Sequence, residues 1–542
     1  MQRSQDLKRL ADEQFDVVVV GGGITGCGIA RDAALRGLKV ALVEKLDFGA
    51  GTSSKSSKLI HGGLRYLEQA EFALVFESVN ERKLLMKVAR HLVRPLPFLV
   101  TRYAGDRRWL VTLDLGLWIY DALCLFGSYR NHRTYRAQKT LELEPGLRPE
   151  GLDGGILYYD CLTDDARLTL ENAIDARALG AVVLNHARAG ALLRDANGGI
   201  CGVEVHDAET GATVAAKARV VINATGPWSD EVRALAGEAA ILKPTKGVHL
   251  VVDAARLPVT HALMMASPRD RRVVFCIPWG LGRTVVGTTD TFFDGSPDQV
   301  NPTTDDVTYL LETANAYWPK AKLTPDDVIS TWSGLRPLLK PADSSAGASQ
   351  VSREHMLYEA KGFLTIAGGK LTTYRRMAME VVDRAVAQLG LSVKSTTKDR
   401  PLPGAVGLEE SDEVLESRAK SLESKGVKDL AAQYFVETYG ARVEGVLDRR
   451  TSDPSAAERL DDELPYLMAQ VDEAVDVEFA RTVDDVLSRR VQLVLRGRDQ
   501  GLAIAPKVAA RMGQKLGWSA ERVAQEVSAY QQVVAASRAF RR

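Results

Sequence analysis

The stretch that most constrains this chain is residues 15–45, FDVVVVGGGITGCGIARDAALRGLKVALVEK. Four consecutive valines, residues 17–20, predict a fully buried strand. The run breaks into Gly21-Gly22-Gly23-Ile24-Thr25-Gly26, and helical sequence follows over about 27–36. Gly37 ends that helix, and residues 39–43 predict a second strand closing on Glu44. A β-α-β unit with GxGxxG at its first turn and an acid ending its second strand is the fingerprint of dinucleotide binding. Gly21 allows the tight turn, Gly23 lets backbone approach a pyrophosphate, and Gly26 lets helix pack on strand. The free amides and positive end of the helix receive the phosphates. Glu44 is placed to accept hydrogen bonds from a ribose diol. Gly21, Gly23, Thr25, Gly26 and Glu44 are therefore candidate cofactor contacts.

At 542 residues the chain exceeds one core, and two or three domains are expected. Lys and Arg balance Asp and Glu at 70 each, so no global field favours nucleic acid, and none is expected as a partner. Cys27, Cys124, Cys161, Cys201 and Cys276 stand singly, without metal-ligand spacing. They read as buried small apolar residues in a reducing compartment, and no metal is expected. The first residues, MQRSQDLKRLADEQ, lack the apolar core of a signal peptide. No run of about 20 residues is apolar enough to span a bilayer. The expectation is a cytoplasmic protein, dissolved or on a membrane surface.

Residues 47–68, DFGAGTSSKSSKLIHGGLRYLE, place hydroxyls and glycines directly after the dinucleotide unit. Such a loop suits contact with phosphates or a flat ring. Residues 72–92 predict a helix with Phe72, Val75, Phe76, Val79, Leu84, Leu85 and Val88 as its apolar stripe. Pro95 and Pro97 interrupt the next stretch, and WLVTLDLGLWIYDALCLFG follows, flanked by Arg102, Arg107 and Arg108 and by Arg130, Arg133 and Arg136. Two readings stand: a buried helix pair in a substrate domain, or an interfacial segment with rings at headgroup level and cations on anionic lipid. Asp164 and Asp165 read as caps of a helix start. Residues 181–187, 200–206 and 214–222 predict strands returning to the nucleotide domain. Segments VHLVVD, RRVVFCIPWG and RTVVGTTD predict an antiparallel sheet. Residues 363–370 repeat the strand-to-glycine pattern before a second helix. Beyond PLPG at 401–404, helical sequence with breaks at Gly426 and Asp453-Pro454 predicts a separate all-helical domain, with no calcium-binding loop.

Together GGGITGCGIARDAALRG, GTSSKSSKLIHGGLRYLE, NATGPWSD, GTTD, SGLRPL and GGKLTTYR closely resemble the FAD-dependent glycerol-3-phosphate dehydrogenases, relatives of the D-amino-acid and glycine oxidases. The resemblance covers residues 15–400 and continues more weakly to the end. It implies an α/β fold: a Rossmann-like FAD-binding domain (segments about 14–92, 150–235 and 355–395), an antiparallel-sheet substrate domain (about 93–149 and 236–354), and a helical domain over 401–542. It implies non-covalent FAD held by the glycine unit and by Thr52, Ser53, Ser57, Lys58, Leu59, His61, Gly62, Gly226, Gly368, Gly369, Lys370, Leu371 and Thr372.

The implied reaction oxidises sn-glycerol 3-phosphate to dihydroxyacetone phosphate and passes electrons to a membrane quinone. The alternative is an oxidase that uses oxygen and releases hydrogen peroxide. A small dianion with a secondary alcohol needs cations, a proton acceptor and a hydride acceptor. Arg65 and Arg336 could grip the phosphate, since a rigid guanidinium fork suits it. Lys370 is a point cation beside the second glycine turn. His61 is the best general base, because imidazole titrates near the working pH, at about 6.5. Tyr66 and Thr289, or its neighbour Thr288, are candidate partners for substrate oxygens. The expected location is cytoplasmic, peripheral on the inner face of the cell membrane; direct contact with anionic lipid and a homodimer are left open.

Overall fold

The computed structural model describes residues 2–64, 71–106, 110–123, 129–340, 354–408 and 411–541. Arg65, Tyr66, Arg107, Arg108 and Cys124 lie outside the described residues.

The valine strand Gln14–Val20 runs parallel to Val40–Val43 on one side and to Thr213–Asn223 on the other. Val182–Leu184 extends one edge in parallel, and Phe363–Gly368 extends the other. His355–Ala360 closes that second edge antiparallel. Both faces of this sheet are covered, which is why the strand reads as an unbroken apolar run. Val17 and Val19 face a layer made by helices Ile24–Leu35, Asp165–Ala178 and Tyr374–Gln388. Val18 and Val20 pack the other way, with Leu7 and Leu10 of helix Gln2–Asp12 and with Val203 and Val205.

Among the described residues the second sheet has ten strands and is antiparallel except where Ala262–Ala266 runs beside Arg94–Tyr103. Its long strands are Leu152–Leu162, Thr245–Asp253 and Val328–Arg336. Leu152–Leu162 pairs along Arg94–Tyr103, and the short strand Leu59–Ile60 joins its end. Both therefore belong to this sheet, although the segment boundaries read from the sequence put them with the nucleotide domain. Pro95 and Pro97 precede residues 98–100, where Arg94–Tyr103 gains a neighbour on its second side, so their missing N–H groups cost no ladder bond there.

Successive residues of these strands again serve two cores. Leu250 and Val252 face helix Thr304–Tyr317. Val251, Trp279 and Trp332 face helices of the C-terminal region, including Met468–Asp476, Ala505–Leu516 and Ala520–Ser537. Among the described residues of this region, 422–447 form a small core of their own. The helical region packs against the rest of the chain: from residue 460 onward it shares a core with the second sheet.

It is also tied to the nucleotide domain by buried charge. Glu478, fully buried, accepts both Arg167 Nη1 (2.7 Å) and Nη2 (2.6 Å) from helix Asp165–Ala178. Arg442 bridges Glu478 (3.1 Å), Glu473 (2.7 Å) and Glu171 (2.8 Å). Burial opposes ionisation of Glu478, but Arg167, Arg442 and Arg490 outweigh it and hold the carboxyl at about 2, against 4.5 ordinarily. Because the folded value lies below the unfolded one, this contribution is present above about pH 4.5 and is lost as pH falls toward 2. Glu478→Gln leaves two guanidinium groups under-paired in the interior. We expect it to destabilise the protein by about 3 kcal/mol or more and to flatten the acid limb of the stability profile, measured by chemical denaturation at several pH values.

Candidate active site

The carboxyl ends of the parallel strands converge on one cleft of about 390 Å³, lined from Val20 through Ala224 to Ile366. That is where an open α/β sheet places its ligand. Gly21 takes φ +108°, and a methyl on Gly26 would sit 1.8 Å from the Gly21 carbonyl oxygen, so turn and helix meet at backbone distance. Ser53 Oγ accepts the Ile24 N–H (2.9 Å), which lashes the following loop to the helix start. Glu44 accepts the Gly22 N–H (2.6 Å) and the Leu46 N–H (2.8 Å). Each carboxylate oxygen keeps a second lone pair, so a ribose diol can still be received. Burial pushes the Glu44 carboxyl up, against those backbone donors. At the same end Lys45 lies over the Trp228 ring at 4.3 Å, and both engage Asp298.

The opposite end of the cleft is closed by the second glycine turn. Gly368 and Gly369 take φ +78° and +83°, and a single turn at Leu371–Thr373 leads into helix Tyr374–Gln388. Thr372 Oγ1 accepts the His61 N–H and donates to the His61 carbonyl, both at 3.2 Å, which ties the His61 backbone to the second glycine turn; His61 and Lys370 both line the cleft.

Between the two ends runs residues 51–60, wedged against the second sheet. Thr52 Oγ1 donates to the Leu335 carbonyl (2.6 Å), and Trp332 Nε1 donates to the Ser56 carbonyl (3.2 Å). Arg336, ending strand Val328–Arg336, donates to Asp290 Oδ1 (3.1 Å), Thr288 Oγ1 (3.1 Å) and the Thr289 carbonyl (3.2 Å) while it lines the cleft.

Fifteen expected cofactor contacts meet on this one surface: Gly21, Gly23, Thr25, Glu44, Thr52, Ser53, Ser57, Leu59, His61, Gly226, Gly368, Gly369, Lys370, Leu371 and Thr372. Three do not reach it. Gly26 packs under Gly21. Lys58 is buried, with Nζ donating to Asp165 Oδ1 (2.7 Å) and the Ser54 carbonyl (3.1 Å). Gly62 donates its N–H to Tyr120 and Asp160, both at 3.2 Å. Among expected substrate contacts, Thr289 is also turned away: its Oγ1 accepts the Val248 N–H (3.0 Å) and holds two strands together. Thr288 is the threonine whose hydroxyl reaches Arg336; Thr289 reaches it through its carbonyl. Arg65 and Tyr66 lie outside the described residues.

Sequence reasoning missed His249. It pairs across the sheet with Trp332 on one side and Gly287 on the other. The ring stacks on Trp332 at 4.8 Å and fills the space above Gly287, whose added methyl would come within 2.1 Å of it. His249 Nε2 meets Ser57 Oγ at 2.8 Å on the cleft wall. Burial, then the nearby Arg336 and Lys58 cations, hold it well below the ordinary histidine range. VHLVVD carried the strand signal, but nothing local to it revealed that this histidine faces a site.

Comparison with known proteins agrees with this geometry. A family model described as FAD dependent oxidoreductase matches residues 16–375, and one described as the C-terminal domain of alpha-glycerophosphate oxidase matches residues 395–523. Glycerol-3-phosphate dehydrogenase 2 of Mycobacterium tuberculosis (strain ATCC 25618 / H37Rv) is 40% identical over 539 residues, 98% of this chain and 89% of that protein. The chain belongs to the FAD-dependent glycerol-3-phosphate dehydrogenase family. The family's protein from Synechocystis is 37% identical, with 97% of each chain covered. A crystal structure of the glycerol-3-phosphate dehydrogenase from Bacillus halodurans complexed with FAD superposes with a TM-score of 0.82 at 31% identity, covering 99% of this chain and 98% of that one. The L-alpha-glycerophosphate oxidase of Mycoplasma pneumoniae, at 20% identity and TM-score 0.57, shares the fold.

The dry setting of His249 has a direct consequence. In histidine-labelled protein its resonance, assigned by its loss in His249→Asn, should titrate well below an ordinary histidine. Titration at or above the ordinary histidine value would contradict the buried, cation-flanked pocket.

Proposed function

We propose that the protein oxidises sn-glycerol 3-phosphate to dihydroxyacetone phosphate in this cleft and passes the electrons to a membrane quinone. The observation that carries the reading is the meeting of His61, Arg336 and Lys370 on the wall of a single cleft that also holds both glycine turns. The fit to FAD rests on the backbone-distance approach at Gly21 and Gly26, the two helix starts, and the acceptor capacity left on Glu44. Bound there, FAD supplies a hydride acceptor.

The chain's own residues do the rest. Arg336 is held by Asp290 and Thr288, so its guanidinium is oriented before substrate arrives. A pre-set fork grips phosphate or the substrate hydroxyl with little ordering cost. Arg65 and Tyr66 add to the substrate contacts in this reading. His61, fixed through its backbone to Thr372, receives the hydroxyl proton as the alcohol carbon gives up its hydride. Lys370 places positive charge at the second glycine turn, where the adjoining helix start also favours negative charge. His249, kept neutral, serves as a hydrogen-bonding wall with Ser57 rather than as the base.

Support for the quinone comes from the surface. Helices Phe72–Val88 and Leu110–Leu123 expose Phe72, Phe76, Leu115, Trp118 and Ile119, with Leu115 at 61% and Trp118 at 52%. Phe72 and Phe76 belong to the stripe expected to be buried, and Arg130, Arg133 and Arg136 lie exposed nearby in sequence. Large apolar side chains with cations beside them suit an interfacial contact with anionic lipid. Among the described residues no helix is long and apolar enough to cross a membrane. In this reading the contact is peripheral and lies on the cytoplasmic face.

Glycerol 3-phosphate added without air should bleach the bound flavin, and a quinone analogue should restore it far faster than oxygen does. Rapid recovery in air with hydrogen peroxide would instead establish an oxidase, and no bleaching would remove the substrate. Arg336→Ala should lower kcat/KM by about two orders of magnitude or more. His61→Asn should depress kcat and abolish the acidic limb of the pH–rate profile, and a variant with full turnover and an unchanged profile would remove His61 as base. A Phe76→Ser, Trp118→Ser double variant should stay in the supernatant with anionic liposomes that pellet the parent protein at low salt.

A further inference from the structure

The loop that follows Glu44 is gripped from outside both sheets. Asp47 stands three positions beyond Glu44, and its side chain is wholly buried. Its carboxylate accepts Arg490 Nη1 (2.7 Å) and Nη2 (2.9 Å), Arg489 Nε (2.6 Å) and Asn185 Nδ2 (3.0 Å). The turn itself needs none of these, since the Ala50 N–H already closes it on the Asp47 carbonyl at 3.0 Å. Beside Asp47, the Phe48 ring meets Phe479 edge-on at 5.2 Å, and Asn185 Nδ2 also donates to the Phe479 carbonyl (2.8 Å). Arg489, Arg490 and Phe479 all belong to the C-terminal helical region.

The inner side of the same loop forms the nucleotide end of the cleft. Gly49 N–H donates to the Gly22 carbonyl (2.9 Å), while Gly22 N–H donates to Glu44 (2.6 Å). The Phe48 ring lies on Gly22, where an added methyl would come within 2.5 Å of it. Arg489 is near enough to Lys55 on the cleft wall to add to the burial that lowers that ammonium. Glycine turn, Glu44 and loop are thus one hydrogen-bonded unit, and its outer support comes from more than 400 residues further along the chain.

We propose that Arg490, seconded by Arg489, is a positioning residue for the dinucleotide: the C-terminal helical region sets FAD affinity by holding Asp47, and through it Glu44 and the Gly22 turn, in binding geometry. The inference rests on the reading of this cleft as the FAD site. A loop ordered during folding does not have to be ordered again when the ligand binds, and that saving appears as affinity.

The test uses the full chain, stripped of FAD and titrated back, with flavin fluorescence reporting the dissociation constant. Arg490→Met keeps the length of the side chain; it frees the Glu478 carbonyl from Arg490 Nε (3.1 Å) but leaves Asp47 paired with Arg489 and Asn185 and the Glu478 carboxylate with Arg167 and Arg442, so the protein should still fold. Its FAD dissociation constant should rise about tenfold or more, and the gain in thermal stability on adding FAD should shrink with it. Arg490→Lys, which keeps a cation but loses the fork, should recover part of the affinity. Phe479→Leu, which keeps an apolar side chain in the core but removes the edge-on contact with Phe48 and the ring face that Arg177 covers at 4.6 Å, should weaken FAD in the same direction by a smaller factor, and it decides the question if Arg490→Met fails to fold. Unchanged FAD affinity in the folded variants, or equal loss of stability with and without FAD, would overturn the proposal. Parent protein that binds no FAD would overturn the reading of the cleft itself.

Discussion

Everything at this site depends on one crowded seam. Residues 47–64 must pass between two sheets and beneath a helical region while leaving one side open to a ligand. Small hydroxyls and glycines make the passage sterically feasible, but they bring many polar groups into a dry place, and each must find a partner. The partners come from all three parts of the chain. Asp165 takes Ser56 and Lys58, Thr372 takes His61, the Leu335 carbonyl takes Thr52, and Arg489 and Arg490 take Asp47. A seam satisfied in this way is rigid. Its rigidity presents His61, Ser53 and Ser57 to one cleft, and electrostatic catalysis needs such groups set before the substrate arrives.

Local signals in the sequence were sufficient for the elements that obey short periods. The valine run, its glycine turn and Glu44 read directly as the first β-α-β unit because both faces of that strand are buried and the turn is backbone against backbone. The second glycine turn and the breaks at Gly426 and Asp453-Pro454 read for the same reason. What the sequence did not disclose depends on contacts between distant residues. Lys58 looked like a cofactor contact until its partner, 107 residues away, took the ammonium. Thr289 resembled a substrate ligand, yet it faces Val248 across a strand pair. His249 was silent because its role follows from sheet register, with Trp332 and Gly287 beside it. Phe72 and Phe76 fit a helical stripe whose turn toward solvent no periodicity could reveal.

The helical region shows how a late segment can belong to an early site. Its helices complete the core beneath Trp279 and Trp332, and Arg496 lies over the Trp279 ring at 3.5 Å. Through Trp332 the same stack reaches His249 on the cleft wall. Its acids and arginines also cross to the nucleotide domain, at Glu478 with Arg167 and at Asp47 with Arg490. The cleft wall at His249 and the loop at Asp47 therefore rest on one common support, which ties the geometry of the cleft to the integrity of the whole chain.

The proposed reaction removes a hydride from the secondary carbon of glycerol 3-phosphate in this cleft. Its most direct test is rapid mixing of the protein, without air, with substrate carrying deuterium at that carbon. Flavin bleaching is expected to slow severalfold relative to ordinary substrate at saturation, because the bond to that hydrogen breaks in the step observed. Equal bleaching rates in a step shown to be chemistry, or no bleaching with either substrate, would contradict it.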